Sequence, residues 1–195
     1  MSSTEVSTDG HIEVITGSMF SGKTEELIRR LERAKIAEQE IEVFKPAIDD
    51  RYGEQEIGSH AGSKWKAKVV EQDEKLEKKV KETDADVIAF DEANFFNNEL
   101  VSVCQELADS GKRVIVTGID QNFRGEPFEP VPALMASAEY IEKLRAICQV
   151  CGRPATRNQR LIDGEPAHVD EPEVVVGAEE KYEARCRHCH ELQND

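Results

Sequence analysis

Apolar residues along this chain change period several times, and the changes mark its elements. β-branched residues alternate from Ile12 to Thr16 as in a strand. Leu27, Ile28, Leu31 and Ala34 then recur at helical spacing and predict a helix over 24–39. Residues 41–46 read as a second strand, stopped by Pro46. Residues 49–54 read as a loop, and 54–68 are polar and irregular. Lys64, Lys66 and Lys68 alternate around the only tryptophan, Trp65, which predicts an exposed strand with a solvated face. A charged amphipathic helix is predicted over 71–83, with Leu76 and Val80 inward. Residues 87–90 are unbroken apolar, the pattern of a parallel strand buried on both faces. Asn97 and Asn98 can cap the next helix. Its inward stripe is Leu100, Val101, Cys104, Leu107 and Ala108, and Gly111 closes it. A strand at 113–118, a Gly/Pro-punctuated loop at 119–128, a helix at 131–139 and a strand at 140–146 complete the series. Alternating strands and helices imply an α/β fold, a doubly wound and mostly parallel sheet with flanking helices.

The first strand runs into Gly17-Ser18-Met19-Phe20-Ser21-Gly22-Lys23-Thr24, the full P-loop pattern, and a helix follows it. That context makes the fold P-loop NTPase-like. Backbone N–H groups of such a turn, with the helix N-terminus, cradle phosphates. Lys23 would reach the β- and γ-phosphates and Thr24 would hold Mg²⁺. The third long strand ends in Asp91-Glu92. Asp91 fits the carboxylate that helps hold Mg²⁺ in P-loop proteins. Glu92, at the same mouth of the sheet, suits either orienting a water or taking a proton from an acceptor hydroxyl.

Five cysteines are present, and four make two C-x2-C pairs, Cys148/Cys151 and Cys186/Cys189. Two such knuckles complete a tetrahedral Zn²⁺ site with no open position, so the expected role is structural. His188 and His190 are the substitutes should one thiolate not bind. The fifth, Cys104, sits on a helical core stripe and reads as a buried thiol. Composition shifts at the first knuckle, which divides the chain into a disordered tail at 1–10, an α/β domain at 11–147 and a zinc-binding domain at 148–195.

The net charge of −15 bears on partners. The excess lies mainly before residue 144, and an acidic surface lacks the cations that nucleic acid requires. It suits solubility, or a salt-rich cytoplasm in which carboxylates are screened. No apolar run reaches membrane-helix length and no signal peptide is apparent, so a soluble cytoplasmic protein is expected. A competing function is a P-loop ATPase whose zinc ribbon engages nucleic acid, which would call for a basic zinc segment.

The P-loop, Asp91-Glu92-Ala93-Asn94-Phe95-Phe96, the 119–128 loop and the two cysteine pairs together resemble the zinc-containing (type II) thymidine kinases. The resemblance runs from about residue 12 to 190. It implies γ-phosphoryl transfer from ATP, with Mg²⁺, to the 5′-hydroxyl of thymidine in nucleotide salvage, a homotetramer, feedback inhibition by dTTP and structural Zn²⁺. It implies no nucleic-acid or membrane partner. Glu92 corresponds to the catalytic base. Gly17 through Thr24, Asp49, Arg51, Asp91 and Asn94 correspond to the ATP and Mg²⁺ contacts. Met19, Phe95, Phe123, Phe128, Asn158, Glu173 and Tyr182 correspond to the nucleoside pocket. Val174, Val175, Val176 and Gly177 correspond to a lasso loop closing over the base, which the zinc site would anchor at both ends. Ser18 stands where proline is common and Asn94 where Gln is frequent. Asn158 stands where a Thr near the thymine methyl is usual, which bears on thymidine versus deoxyuridine.

Overall fold

The computed structural model describes residues 10–48, 55–58, 62–71, 76–80, 83–173 and 181–194. Its centre is a six-stranded sheet made of β1 (His11–Gly17), β2 (Ile41–Pro46), β5 (Lys68–Val70), β6 (Val87–Phe90), β7 (Arg113–Gly118) and β8 (Tyr140–Leu144). The strand order is β5-β2-β6-β7-β1-β8, and every pairing is parallel. Among the described residues, four helices lie against it: α1 (Lys23–Ile36), α2 (Leu76–Val80), α3 (Glu99–Asp109) and α4 (Val131–Ser137).

Side chains alternate between the two faces, so each central strand feeds two cores. On one face Ile15, Val43, Ala89 and Ile115 pack against Leu27, Ile28, Leu31 and Ala34 of α1. On the other, Val14, Phe44, Phe90 and Val116 meet Leu76, Leu100, Cys104 and Leu134 of α2, α3 and α4. The crossover through α1 moves one way along the sheet, and those through α3 and α4 move the other way on the opposite face. Right-handed crossovers demand this, and it places a switch point at the carboxyl ends of the strands.

A hairpin of β3 (Glu56–Gly58) and β4 (Lys64–Lys66) covers the α1 face. Lys64 and Lys66 are exposed while Trp65 is half-buried against that core, in line with the alternation. Lys64 pairs with Glu56 at 2.8 Å and Lys68 with Glu42 at 2.5 Å, so these cations are engaged locally.

Several element boundaries differ from expectation, and α4 stops at Ser137 rather than at 139. Helix α1 ends at Ile36, three residues early, because Glu38 adopts a left-handed φ of 57°. Gln39 N then donates to Ala34 O and Glu38 N to Lys35 O, a helix stop usually marked by glycine. The helix expected over 71–83 is described only as Leu76–Val80, and the preceding Lys68–Val70 is an edge strand on β2. Strand β8 stops at Leu144, its last partner being Gly17, after which β1 bends away into the phosphate loop.

The chain then folds into a smaller module. β9 (Ala146–Ile147) pairs with β10 (Pro154–Ala155). β11 (Arg157–Ile162) lies between β12 (Glu165–Pro166) and β13 (Lys181–Arg185) in an antiparallel sheet. Its buried cluster is Ala146, Cys148, Ala155, Ala184 and Cys186. No helix among the described residues is long and apolar enough to cross a membrane.

Candidate active site

The phosphate loop sits where β1 leaves the sheet. Gly17 has φ 145°, and a Cβ there would fall 2.5 Å from the Leu144 carbonyl oxygen, so only glycine fits. Gly22, at φ 87°, caps α1. Lys23 folds back over the loop, its Nζ donating to Ser18 O at 3.0 Å. The first turn of α1 carries Glu25 and Glu26, and its N-terminal N–H groups face the loop. The Ser21 hydroxyl is buried with no partner among the described residues, an open donor inside the phosphate turn. The donor set therefore fits a nucleotide triphosphate.

Asp91 follows β6 and is 3% exposed. The Thr117 hydroxyl donates to its Oδ1, as does Glu92 N at 3.0 Å, while Thr24 Oγ1 lies 3.4 Å from Oδ2. Thus the phosphate-loop hydroxyl and the strand-end carboxylate face each other, a pair of oxygens that fits one hydrated Mg²⁺. Thr117 was invisible as a site residue, because it sits inside an apolar strand. Only the β6–β7 register, in which Phe90 pairs with Val116, brings it beside Asp91. Glu92 has a left-handed φ of 52°, a strained choice for a side-chain-bearing residue. The following 3-10 turn, Ala93–Phe95, buries Asn94, whose Oδ1 accepts from Ile119 N at 3.0 Å. The Asn94 Nδ2 has no partner among the described residues.

Beyond this centre lies the 119–128 loop. It is closed by the Gln121–Pro127 bridge and by Asn122 N donating to Glu126 O at 2.9 Å. Phe128 is 8% exposed and Phe95 half-buried. Phe123 is almost fully buried between two guanidinium groups, Arg124 at 4.5 Å and Arg160 at 5.2 Å from its ring centre. Asn158 accepts from Met19 N at 2.7 Å and donates to Gln121 O at 2.8 Å. Tyr182 lies on β13, in register with Arg160.

Sequence reasoning also missed how the segment before residue 174 is held. Arg124 Nε donates to Val169 O at 2.6 Å, and its Nη2 to Glu171 O. Arg160 Nη1 donates to Pro172 O at 2.6 Å, and Asn122 Nδ2 to Glu173 Oε1 at 2.7 Å. Two arginines and an asparagine therefore fix 169–173 directly. The sequence sets Arg124 and Asn122 beside Phe123 but gives Arg160 no comparable signal. Asp49, Arg51 and Val174, Val175, Val176 and Gly177 lie outside the described residues.

The four knuckle cysteines come together, all four sulfurs lying within 4.8 Å of one another. Cys151 Sγ and Cys186 Sγ are 3.6 Å apart. A tetrahedron with Zn–S bonds of about 2.3 Å has S···S edges of about 3.8 Å, so the cluster is the right size for that ion. Burial raises the Cys148 thiol, but backbone N–H groups of Cys186, Cys151 and Val150 hold it down to about 6. A thiolate there suits metal binding. His190 is engaged elsewhere, its Nε2 bonding Phe123 O at 2.7 Å, and His188 is exposed. Cys104 is fully buried in the α3 core, and desolvation pushes its thiol up.

Comparison with known proteins accords with this geometry. The family model described as "Thymidine kinase" matches residues 10–190. Thymidine kinase of Halobacterium salinarum is 62% identical over 192 residues, covering 97% of this chain and 98% of the relative. Thymidine kinase of Haloquadratum walsbyi is 54% identical over 222 residues, covering 97% and 99%. A match of that extent, across both the phosphate loop and the cysteine module, means that the chain belongs to the thymidine kinase family.

Proposed function

We propose that this chain transfers the γ-phosphoryl group of ATP to the 5′-hydroxyl of thymidine, giving dTMP in nucleotide salvage. The observation that carries this reading is Asp91, held by Thr117 and facing Thr24, with Glu92 next to it at one mouth of the sheet. Lys23 and the loop N–H groups bind the triphosphate. Asp91 and Thr24 would hold Mg²⁺, which supplies charge neutralisation on the phosphates. Glu92 takes the proton of the 5′-hydroxyl as it attacks. Arg51 offsets charge on the transferring group and Asp49 assists at the metal. Met19, Phe95 and Phe128 wall the nucleoside, Phe123 backs the pocket, and the segment from Glu173 through Gly177, with Tyr182, closes it. The cysteine cluster holds structural Zn²⁺.

The finer readings follow the family. The protein works as a cytoplasmic homotetramer, inhibited by dTTP, on the division of the chain at 10/11 and 147/148, without a nucleic-acid partner. The −15 charge supports best activity in concentrated salt. Incubation with ATP, Mg²⁺ and a panel of nucleosides tests the assignment. Thymidine monophosphate is expected, deoxyuridine serving as the comparison substrate. Release of inorganic phosphate alone would reject the kinase and favour a nucleotide-driven ATPase. A salt series run in the same assay checks the charge reading, and an optimum at low salt would refute it.

A further inference from the structure

Asn158 is 2% exposed, yet it lies at the meeting of three segments. Its backbone belongs to β11 of the cysteine module, paired with Ala184 of β13. Its Oδ1 accepts from the Met19 N–H of the phosphate loop at 2.7 Å, and its Nδ2 donates to Gln121 O in the 119–128 loop at 2.8 Å. Met19 lies beyond the end of β1 and Gln121 beyond the end of β7, so neither backbone group is held by the central sheet. Another direct bond between phosphate loop and module, Ser18 Oγ to Ala155 O, is long at 3.4 Å. The neighbouring Arg157 braces the 119–128 loop through Gln121 Oε1 at 2.9 Å and Gly125 O at 2.8 Å, so that loop is already anchored to β11.

We propose that Asn158 is a positioning residue that locks the nucleotide-side loop to the acceptor-side loop, its two amide atoms each serving one substrate. The Oδ1 bond sets Met19 and so the phosphate loop. The Nδ2 bond sets Gln121 and so the loop that carries Phe123 and Phe128. An amide is suited to this because it offers an acceptor and a donor about 2 Å apart on one rigid plane. A hydroxyl would have to serve both groups from a single atom. The acceptor half rests on the kinase reading above, and the phosphate-loop half rests on the P-loop alone.

The test separates the two atoms. Affinities for ADP·Mg²⁺ and for thymidine are measured by calorimetry on zinc-replete protein, alongside the steady-state KM values. Asn158→Ala removes both bonds, so both affinities should fall about tenfold, the effect of leaving a buried backbone group unpaired. Asn158→Asp keeps the acceptor for Met19 N–H but sets a carboxylate oxygen against Gln121 O. It should bind ADP within about twofold of wild type and thymidine at least tenfold more weakly. If Asn158→Ala loses its zinc, Asn158→Ser takes its place with the same expectation. Unchanged ADP affinity in the Ala or Ser variant overturns the proposal, as does an Asp variant that loses both affinities equally. A fall in thermal stability with neither affinity altered overturns it too. If wild-type protein binds ADP but no thymidine, the kinase reading fails, and the ADP arm still decides whether Asn158 sets the phosphate loop.

Discussion

The sheet domain and the cysteine module solve the same problem with different resources. The sheet buries Leu, Ile, Val and Phe in two layers, and its central strands are covered on both faces. The module's buried cluster holds three alanines and two cysteines. Alanine buries little apolar surface, at about 25 cal/mol per Å², so burial cannot hold those hairpins alone. A metal held by the four-thiolate cluster would supply what the module's core lacks. The division is also one of purpose. The sheet presents the phosphate loop at its carboxyl edge, while the module carries the 169–173 segment, which Arg160 of the module and Arg124 and Asn122 of the 119–128 loop grip together.

The sharpest way to break the comparison is to remove the metal. Chelation, or Cys186→Ser, should unfold the module and abolish nucleoside turnover while the sheet's circular dichroism persists. The expected loss is on the order of 10 kcal/mol of module stability. A module that keeps its amide-exchange protection without metal would show that its small core suffices.

The next effect is in activity. Glu92→Gln should lower turnover by about 10²–10⁴-fold with ADP affinity retained, because it removes only proton transfer. Near-normal turnover would take Glu92 out of the base role. In the sheet, Leu31→Ala opens a cavity in the α1 layer and should cost about 3 kcal/mol in chemical denaturation. A cost near zero would mean that the layer collapses to fill the space.

A further probe lies at the opposite end of β1. Glu13 is buried among Arg30 at 2.5 Å, Arg113 at 2.5 Å and His11 at 3.1 Å. Burial raises its carboxyl, but the bonds to Arg113 and Arg30 outweigh that and hold it below the ordinary 4.5. Its contribution is therefore complete above about pH 4.5 and disappears as the pH falls through the lowered folded value. Glu13→Gln should cost about 2–3 kcal/mol at neutral pH and flatten the acid limb of the stability profile. An unchanged acid limb would assign acid sensitivity to other carboxylates. The smallest effect is expected of Thr117→Val, which frees Asp91 from a buried hydroxyl. A loss of about 1 kcal/mol in stability should accompany a higher Mg²⁺ requirement, read from a metal titration of turnover.

Local pattern made much of this protein readable. The phosphate loop, Asp91-Glu92 and the two cysteine pairs are short motifs whose chemistry is carried by adjacent residues. The alternation of strand and helix followed from apolar periodicity, and the all-parallel sheet accords with the unbroken apolar run of β6. Boundaries were less legible where a residue took an unusual role, as Glu38 does in ending α1 without glycine.

The sequence by itself determined the phosphate-loop motif, the four-cysteine set and the fold class, because each depends on spacing within one element or turn. Tertiary structure alone decided which distant residues serve those motifs. Thr117 reaches Asp91 through a strand register, Arg124 and Arg160 grip 169–173 across a loop, and Asn158 joins the phosphate loop to the 119–128 loop. None of these residues stands near its partner along the chain. Their roles arise only when sheet order and the folded module bring the segments within hydrogen-bonding distance, which no local period encodes.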